Sequence, residues 1–74
     1  MALVSTVEPD GPAIKMQRER AGLTQADLAR LIKRHRQTIS DVERGRRGVS
    51  AILVGQIARA LKADPDKFIK QDAA

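Results

Sequence analysis

The apolar residues near the end of the chain recur at the spacing of an α-helix. Leu53, Val54, Ile57, Ala58 and Leu61 are joined by steps of three and four residues, which places them on one face of a helix. Such a face must be buried, and a chain of 74 residues has room for one small core, with only about 60% of its unfolded surface removed from water. The pattern therefore predicts a single domain built from short helices.

Local signals divide the preceding residues into further helices. A helix is predicted to begin near Pro12 and to end at Gly22, because proline suits a first turn and glycine a helix end. Thr24 is a predicted N-cap, with Asp27 three residues later in a variant of the capping box. A third, short helix is predicted to run to about Arg44, Ser50 is the predicted N-cap of the fourth helix, and a last turn follows that helix. The expected fold class is all-α, a compact bundle of four to five helices without strands.

The predicted domain occupies residues 11–70. Residues 1–10 are expected to be a flexible N-terminal arm, because they show no sustained period, and residues 71–74 a C-terminal tail. The opening MALVSTVEPD lacks the basic and apolar regions of a secretory signal. The chain has no cysteine, which suits a reducing compartment, so we expect a cytoplasmic protein.

The net charge of +5 is concentrated in one segment. Residues 30–47 contain seven basic and two acidic residues, and the rest of the chain is neutral. A concentrated excess predicts a positive patch that attracts a polyanion. Nucleic acid is the leading candidate, ahead of an anionic membrane surface or an acidic protein.

The segment RHRQTISDVERGRR, residues 34–47, contains little that could be buried. On a helical wheel Ile39, Val42 and Thr38 face inward, and the opposite face is polar. That face carries Arg36, Gln37, Ser40, Asp41 and Arg44. It could be a solvated surface, but its basic flanks and the short turn before it favour a projecting helix. Arginine and glutamine side chains on such a helix can bond to base edges in the DNA major groove.

The stretch GLTQADLARLIKRHRQTISDVERG resembles the helix-turn-helix of the lambda repressor and Cro superfamily, also called the Xre family, and the similarity covers about residues 12–70. The helix-turn-helix itself would span about residues 24–44. The resemblance implies a five-helix DNA-binding domain that acts as a homodimer on pseudo-palindromic operators. Restriction–modification controllers, Cro-like phage regulators and antitoxin-type repressors share this small size, and the sequence does not choose among them.

Residue roles follow from the resemblance position by position. Base reading is implied for Arg36, Gln37, Ser40 and Asp41. Phosphate binding is implied for Gln25, Lys33, Arg34, Arg44, Arg46 and Arg47. Arg18 and Glu43 match an arginine and a glutamate that pair inside the domain, and breaking this pair would cost about 3 to 5 kcal/mol if it is buried.

Several of these positions keep a structural alternative. Family members usually have glycine where this chain has Lys33, so the turn needs either a left-handed lysine or a different geometry. Asp41 would be repelled by phosphates unless it accepts from cytosine, and it could instead pair with Arg44 or with Gln37. Lys33 and Arg34 could be solvated surface charges, and Gln25 only a helix-start residue.

Other functions are less well supported. His35 is the only histidine and has no ligand or catalytic partner at suitable spacing, so no metal, cofactor or enzymatic activity is predicted. No membrane or small-molecule partner is expected. The expected partners are a double-stranded DNA operator and a second copy of the chain. Ile52 and Val54 are expected to exceed the apolar surface that one small domain can cover, so that some of this surface pairs with the second copy. The alternative function is a protein-interaction module of the same fold.

Overall fold

The computed structural model describes residues 6–45 and 48–70. Within them the chain forms four α-helices, a short 3-10 helix and two short strands, so the prediction of a mainly helical fold is confirmed. In chain order these elements are β1 (Thr6–Val7), α1 (Gly11–Arg20), α2 (Gln25–Leu31), α3 (Arg36–Arg44), β2 (Val49–Ser50), α4 (Ala51–Ala60) and the 3-10 helix (Pro65–Phe68).

Each helix start predicted from a capping residue is present. The Thr24 hydroxyl accepts from the Asp27 backbone N–H at 3.0 Å, and the Asp27 carboxylate accepts from the Thr24 N–H at 2.9 Å, which is a complete capping box. Ser50 caps α4 by accepting from the Ile52 N–H. These bonds satisfy backbone donors that a helix start leaves without partners.

Three helices end in the same motif. A residue with positive φ follows the last turn, and the next N–H bonds back to a carbonyl five residues earlier, as in Arg34 N to Ala29 O at 2.9 Å. This is the Schellman arrangement, which satisfies helix-end carbonyls. Gly22 supplies the left-handed residue after α1, whereas Lys33 and Lys62 supply it after α2 and α4 with φ of 57° and 56°.

The core lies where the inner faces of the four α-helices meet the 3-10 helix. Phe68, the only aromatic residue, is 2% exposed and is packed against the aliphatic cluster. The buried hydrophobic residues are Ile14, Leu28, Ala29, Ile39, Val42, Leu53, Val54, Ile57, Ala58, Leu61 and Phe68. The predicted stripe of the fourth helix is therefore buried in full.

The expected absence of strands is wrong, because residues of the predicted N-terminal arm form backbone pairs. Thr6 and Val7 pair antiparallel with Ser50 and Val49, and Pro9 forms a bridge with Ile69. These residues therefore lie between the start of α4 and the end of the 3-10 helix. Residues 1–5 of the predicted arm and the predicted tail 71–74 lie outside the described part of the chain.

Candidate nucleic-acid interface

The short helix α3 has one buried and one polar side, as its sequence predicts. Ile39 and Val42 are 0% and 1% exposed, and Thr38 is half-buried. On the outer side Arg36 and Gln37 are exposed. The remaining outer residues are Ser40 and Asp41, both half-buried, and Arg44, which is exposed.

The turn before α3 contains a left-handed lysine, which is one of the two geometries that the sequence left open. Lys33 adopts the left-handed conformation at φ 57°, where a side chain costs about 1 to 2 kcal/mol relative to the right-handed region. The two hydrogen bonds of the Schellman motif, from the N–H groups of Lys33 and Arg34, offset this strain. The chain can therefore pass from α2 to α3 in four residues without glycine.

One structural alternative for Asp41 is present. The Gln37 side-chain amide donates from Nε2 to Asp41 Oδ1 at 3.0 Å, one helical turn apart. Both side chains remain at the surface of α3. The two residues thus form a linked pair on the outer face.

A buried ion pair fixes α3 to the rest of the domain. Arg18 of α1 donates from Nε to Glu43 Oε2 at 2.7 Å and from Nη2 to Glu43 Oε1 at 3.2 Å, and the two side chains are only 8% and 5% exposed. Arg18 Nη1 also donates to the Leu23 carbonyl at 2.8 Å. The hydrogen bond to Glu43 raises the pKa of Arg18, against the opposing effect of burial. One guanidinium therefore joins α1, the following turn and α3.

Gln25 belongs to the same network, which the sequence reasoning missed. Its Nε2 donates to Glu43 Oε1 at 3.1 Å, so this predicted phosphate ligand also braces the ion pair. Eighteen residues separate the two positions, and no local pattern signals the contact. Within residues 6–45 and 48–70, its second amide N–H and its Oε1 are left for other partners.

The helices α1, α2 and α3 enclose an open polar recess of about 320 Å³. Its lining consists of Lys15, Gln25, Arg36, Gln37, Ser40, Glu43 and Arg44. The recess thus brings together five of the predicted DNA-contacting residues and adds Lys15. Lys15 was not predicted to bind, although its position three residues before Arg18 places it beside the ion pair.

Other predicted contacts lie elsewhere on the surface. Lys33 lines a separate groove between α2 and α4, and Asp41 lines a shallow pocket beside Gly48 and β2. Arg34 is exposed in the turn. Arg46 and Arg47, the predicted phosphate ligands of the loop, lie outside the described residues.

The sequence matches a known protein family. A family model described as a helix-turn-helix domain matches residues 11–68. The chain belongs to the helix-turn-helix family. The resemblance to Xre-type regulators is thereby confirmed.

Individual helix-turn-helix proteins share sequence with the chain. It is 48% identical over 48 residues, 65% of this chain and 70% of its relative, to an uncharacterized HTH-type transcriptional regulator of Methanothermobacter thermautotrophicus. The restriction-modification controller protein C.AhdI from Aeromonas hydrophila superposes with a TM-score of 0.72 and 35% identity, covering 77% of this chain and 86% of that one. The clp gene regulator ClgR from Corynebacterium glutamicum gives a TM-score of 0.70 and 32% identity, covering 76% and 73%.

The surface of this helix-turn-helix domain also exposes apolar residues. Ile52 is 71% exposed, as the sequence suggested, and Leu31 is 58% exposed. Val54, the other predicted surplus residue, is fully buried, so that prediction is wrong. The helix α4 packs against the 3-10 helix, which forms the last turn that was predicted to follow α4.

The described residues contain neither a helix long and apolar enough to cross a membrane nor a group of three potential metal ligands from histidine, cysteine, aspartate and glutamate. His35 occupies the N-cap position of α3 and its side chain makes no capping hydrogen bond.

Proposed function

We propose that this helix-turn-helix protein is a sequence-specific, double-stranded-DNA-binding transcription regulator that acts as a homodimer on a pseudo-palindromic operator and carries out no catalysis. The observation that carries the proposal is the outer face of α3, which presents Arg36 and Gln37 to solvent while a buried ion pair holds the helix from behind. A helix of this kind fits the DNA major groove, where arginine and glutamine distinguish base pairs.

The proposed DNA-contacting residues form two groups, those that contact base edges and those that contact phosphates. Base edges are read by Arg36, Gln37, Ser40 and Asp41. Phosphates are held by Gln25, Lys33, Arg34 and Arg44, by the loop residues Arg46 and Arg47, and by the additional recess residue Lys15. Phosphate contacts provide affinity and orientation, whereas base contacts provide specificity.

The two sets of residues are expected to respond differently to mutation. Arg36→Ala and Gln37→Ala should each weaken binding to the selected site by about 1 to 3 kcal/mol and leave binding to scrambled duplexes unchanged. Arg44→Ala and Arg46→Ala should weaken binding to both duplexes alike. Fluorescence anisotropy on both duplexes, after selection of the site from a random library, measures each effect, and equal behaviour of all four variants would contradict the division.

Salt dependence tests the phosphate contacts separately. If a dimer neutralises roughly six phosphates, the logarithm of the binding constant should fall against the logarithm of salt concentration with a slope near −5. Binding that ignores salt would refute a phosphate-dominated interface. Failure to retain any duplex at low salt would instead favour a protein-interaction module.

The homodimer is supported by the exposed Leu31 and Ile52. A groove between α2 and α4, of about 320 Å³, has Leu31, Gln56 and Ala60 in its walls, and Ile52 lies on the same helix α4. A second copy covering this surface would remove apolar area from water. Ile52→Asp should convert a dimer to a monomer in sedimentation velocity, whereas Met16→Asp, at an apolar residue of α1 that is 53% exposed, should not.

A further inference from the structure

Gln37 and Asp41 form a hydrogen-bonded pair whose direction is fixed by chemistry. A carboxylate only accepts hydrogen bonds, so the amide must turn its Nε2 toward Asp41 Oδ1, at 3.0 Å, and its Oε1 away. A lone glutamine could present its amide in either orientation. The bond to Asp41 therefore determines which end of the Gln37 amide is the acceptor.

The pair spans the outer ridge of α3. Gln37 lines the polar recess with Arg36 and Arg44, whereas Asp41 lines the shallow pocket on the side of Gly48. Among the described residues, the ion pairs are those of Arg18 with Glu43 and of Arg30 with Asp27. Within that part of the chain the bonding partner of Asp41 is thus the side chain of Gln37.

The atoms that do not take part in this bond determine which DNA bases the pair can bind. Gln37 keeps Oε1 as an acceptor and one amide N–H as a donor, and Asp41 keeps Oδ2 as an acceptor. In the major groove adenine offers an N6 amino group beside the N7 acceptor, and cytosine offers its N4 amino group. Guanine and thymine present acceptor oxygens there, which a carboxylate repels.

We propose that Gln37 and Asp41 read DNA as one unit. Gln37 binds an adenine, and Asp41 binds a cytosine at the neighbouring base pair. Asp41 has two roles in this unit: it binds the cytosine amino group, and it positions the Gln37 amide so that Oε1 meets adenine N6 and the free N–H meets N7. The inference rests on the proposed function and specifies the base chemistry of its site.

The test is selection of bound duplexes from a random library by the wild type, by Asp41→Asn and by Gln37→Ala. The wild type should select neighbouring adenine and cytosine, each favoured about five- to a hundredfold over the other bases. Asp41→Asn keeps the size of the side chain but can donate as well as accept. It should lose the cytosine preference and also weaken the adenine preference at the neighbouring position, and Gln37→Ala should weaken both.

A matched control is Asp66→Asn, which removes the same charge from the exposed part of the 3-10 helix and should leave the selected sequence unchanged. Because Gln37 and Asp41 lie on the outer side of α3, Gln37→Ala and Asp41→Asn should melt at temperatures close to that of the wild type.

The outcomes separate this inference from the proposed function. If Asp41→Asn selects the wild-type sequence and only binds all duplexes more tightly, the pair does not read bases and the inference is refuted, while the proposed function stands. A change at the cytosine position alone would refute the positioning role. A wild-type protein that selects no sequence would overturn both.

Discussion

Replacing Glu43 with alanine is expected to remove a large part of the stability of the domain. The Glu43 carboxylate accepts three hydrogen bonds, two from Arg18 and one from Gln25, and the side chains of the ion pair are at least 92% buried. After the substitution the bond to the Leu23 carbonyl is the one that the Arg18 guanidinium keeps among the described residues. A buried charge left without its partner costs about 3 to 5 kcal/mol, whereas a chain of this length is expected to be stable by roughly 4 to 11 kcal/mol.

The structure offers an exposed ion pair as the control. Arg30 and Asp27 approach to 3.6 Å, but their side chains are 78% and 38% exposed, so Arg30→Ala should cost no more than about 0.5 kcal/mol. Urea unfolding followed by circular dichroism, at one fixed protein concentration, measures both variants. If Glu43→Ala costs about as little as Arg30→Ala, the assignment of a buried structural pair is refuted.

Alanine substitutions at Gly11 and Gly55 test how closely neighbouring atoms approach the backbone at these two positions. A Cβ on Gly11 would overlap the backbone carbonyl oxygen of Glu43, whereas one on Gly55 would meet nothing within 4 Å. In urea unfolding Gly11→Ala should therefore destabilise by about 1 to 3 kcal/mol, and Gly55→Ala should stabilise by about 0.5 to 1 kcal/mol. Lys33→Gly should raise the melting temperature, because glycine adopts the left-handed φ of 57° without strain, and a lowered melting temperature would contradict this. The hydrogen bond from the backbone N–H of Thr24 lowers the pKa of the Asp27 carboxyl group. The stability that this bond contributes is therefore present above the unfolded-state pKa and is lost as pH falls through the lower folded-state pKa. Asp27→Asn should therefore be less stable than the wild type at neutral pH, with the difference shrinking in acid melts, and a difference independent of pH would refute the linkage.

The helix starts could be predicted because their causes are local. Thr24 and Ser50 bond to N–H groups two or three residues away, so the sequence itself contains both partners. The amphipathic period of α4 is local in the same sense. The buried and exposed sides of α3 could be predicted in the same way, from the spacing of its own apolar residues Ile39 and Val42.

The missed features all depend on contacts between distant residues. The strands have two residues each and pair Thr6 with Ser50, and such short segments carry no periodic signal of their own. The bond from Gln25 to Glu43 spans 18 residues.

The orientation of α3 depends on polar and backbone contacts as much as on apolar ones. Burial of Ile39 and Val42 contributes roughly 3 to 6 kcal/mol together, which is about the cost of breaking the ion pair made by Glu43. The backbone of Glu43 is also in close contact with Gly11, at the start of α1. These contacts engage the inner side and the C-terminal end of α3. The outer side chains can therefore change without loosening the helix, which allows one scaffold to present different side chains to different DNA sequences.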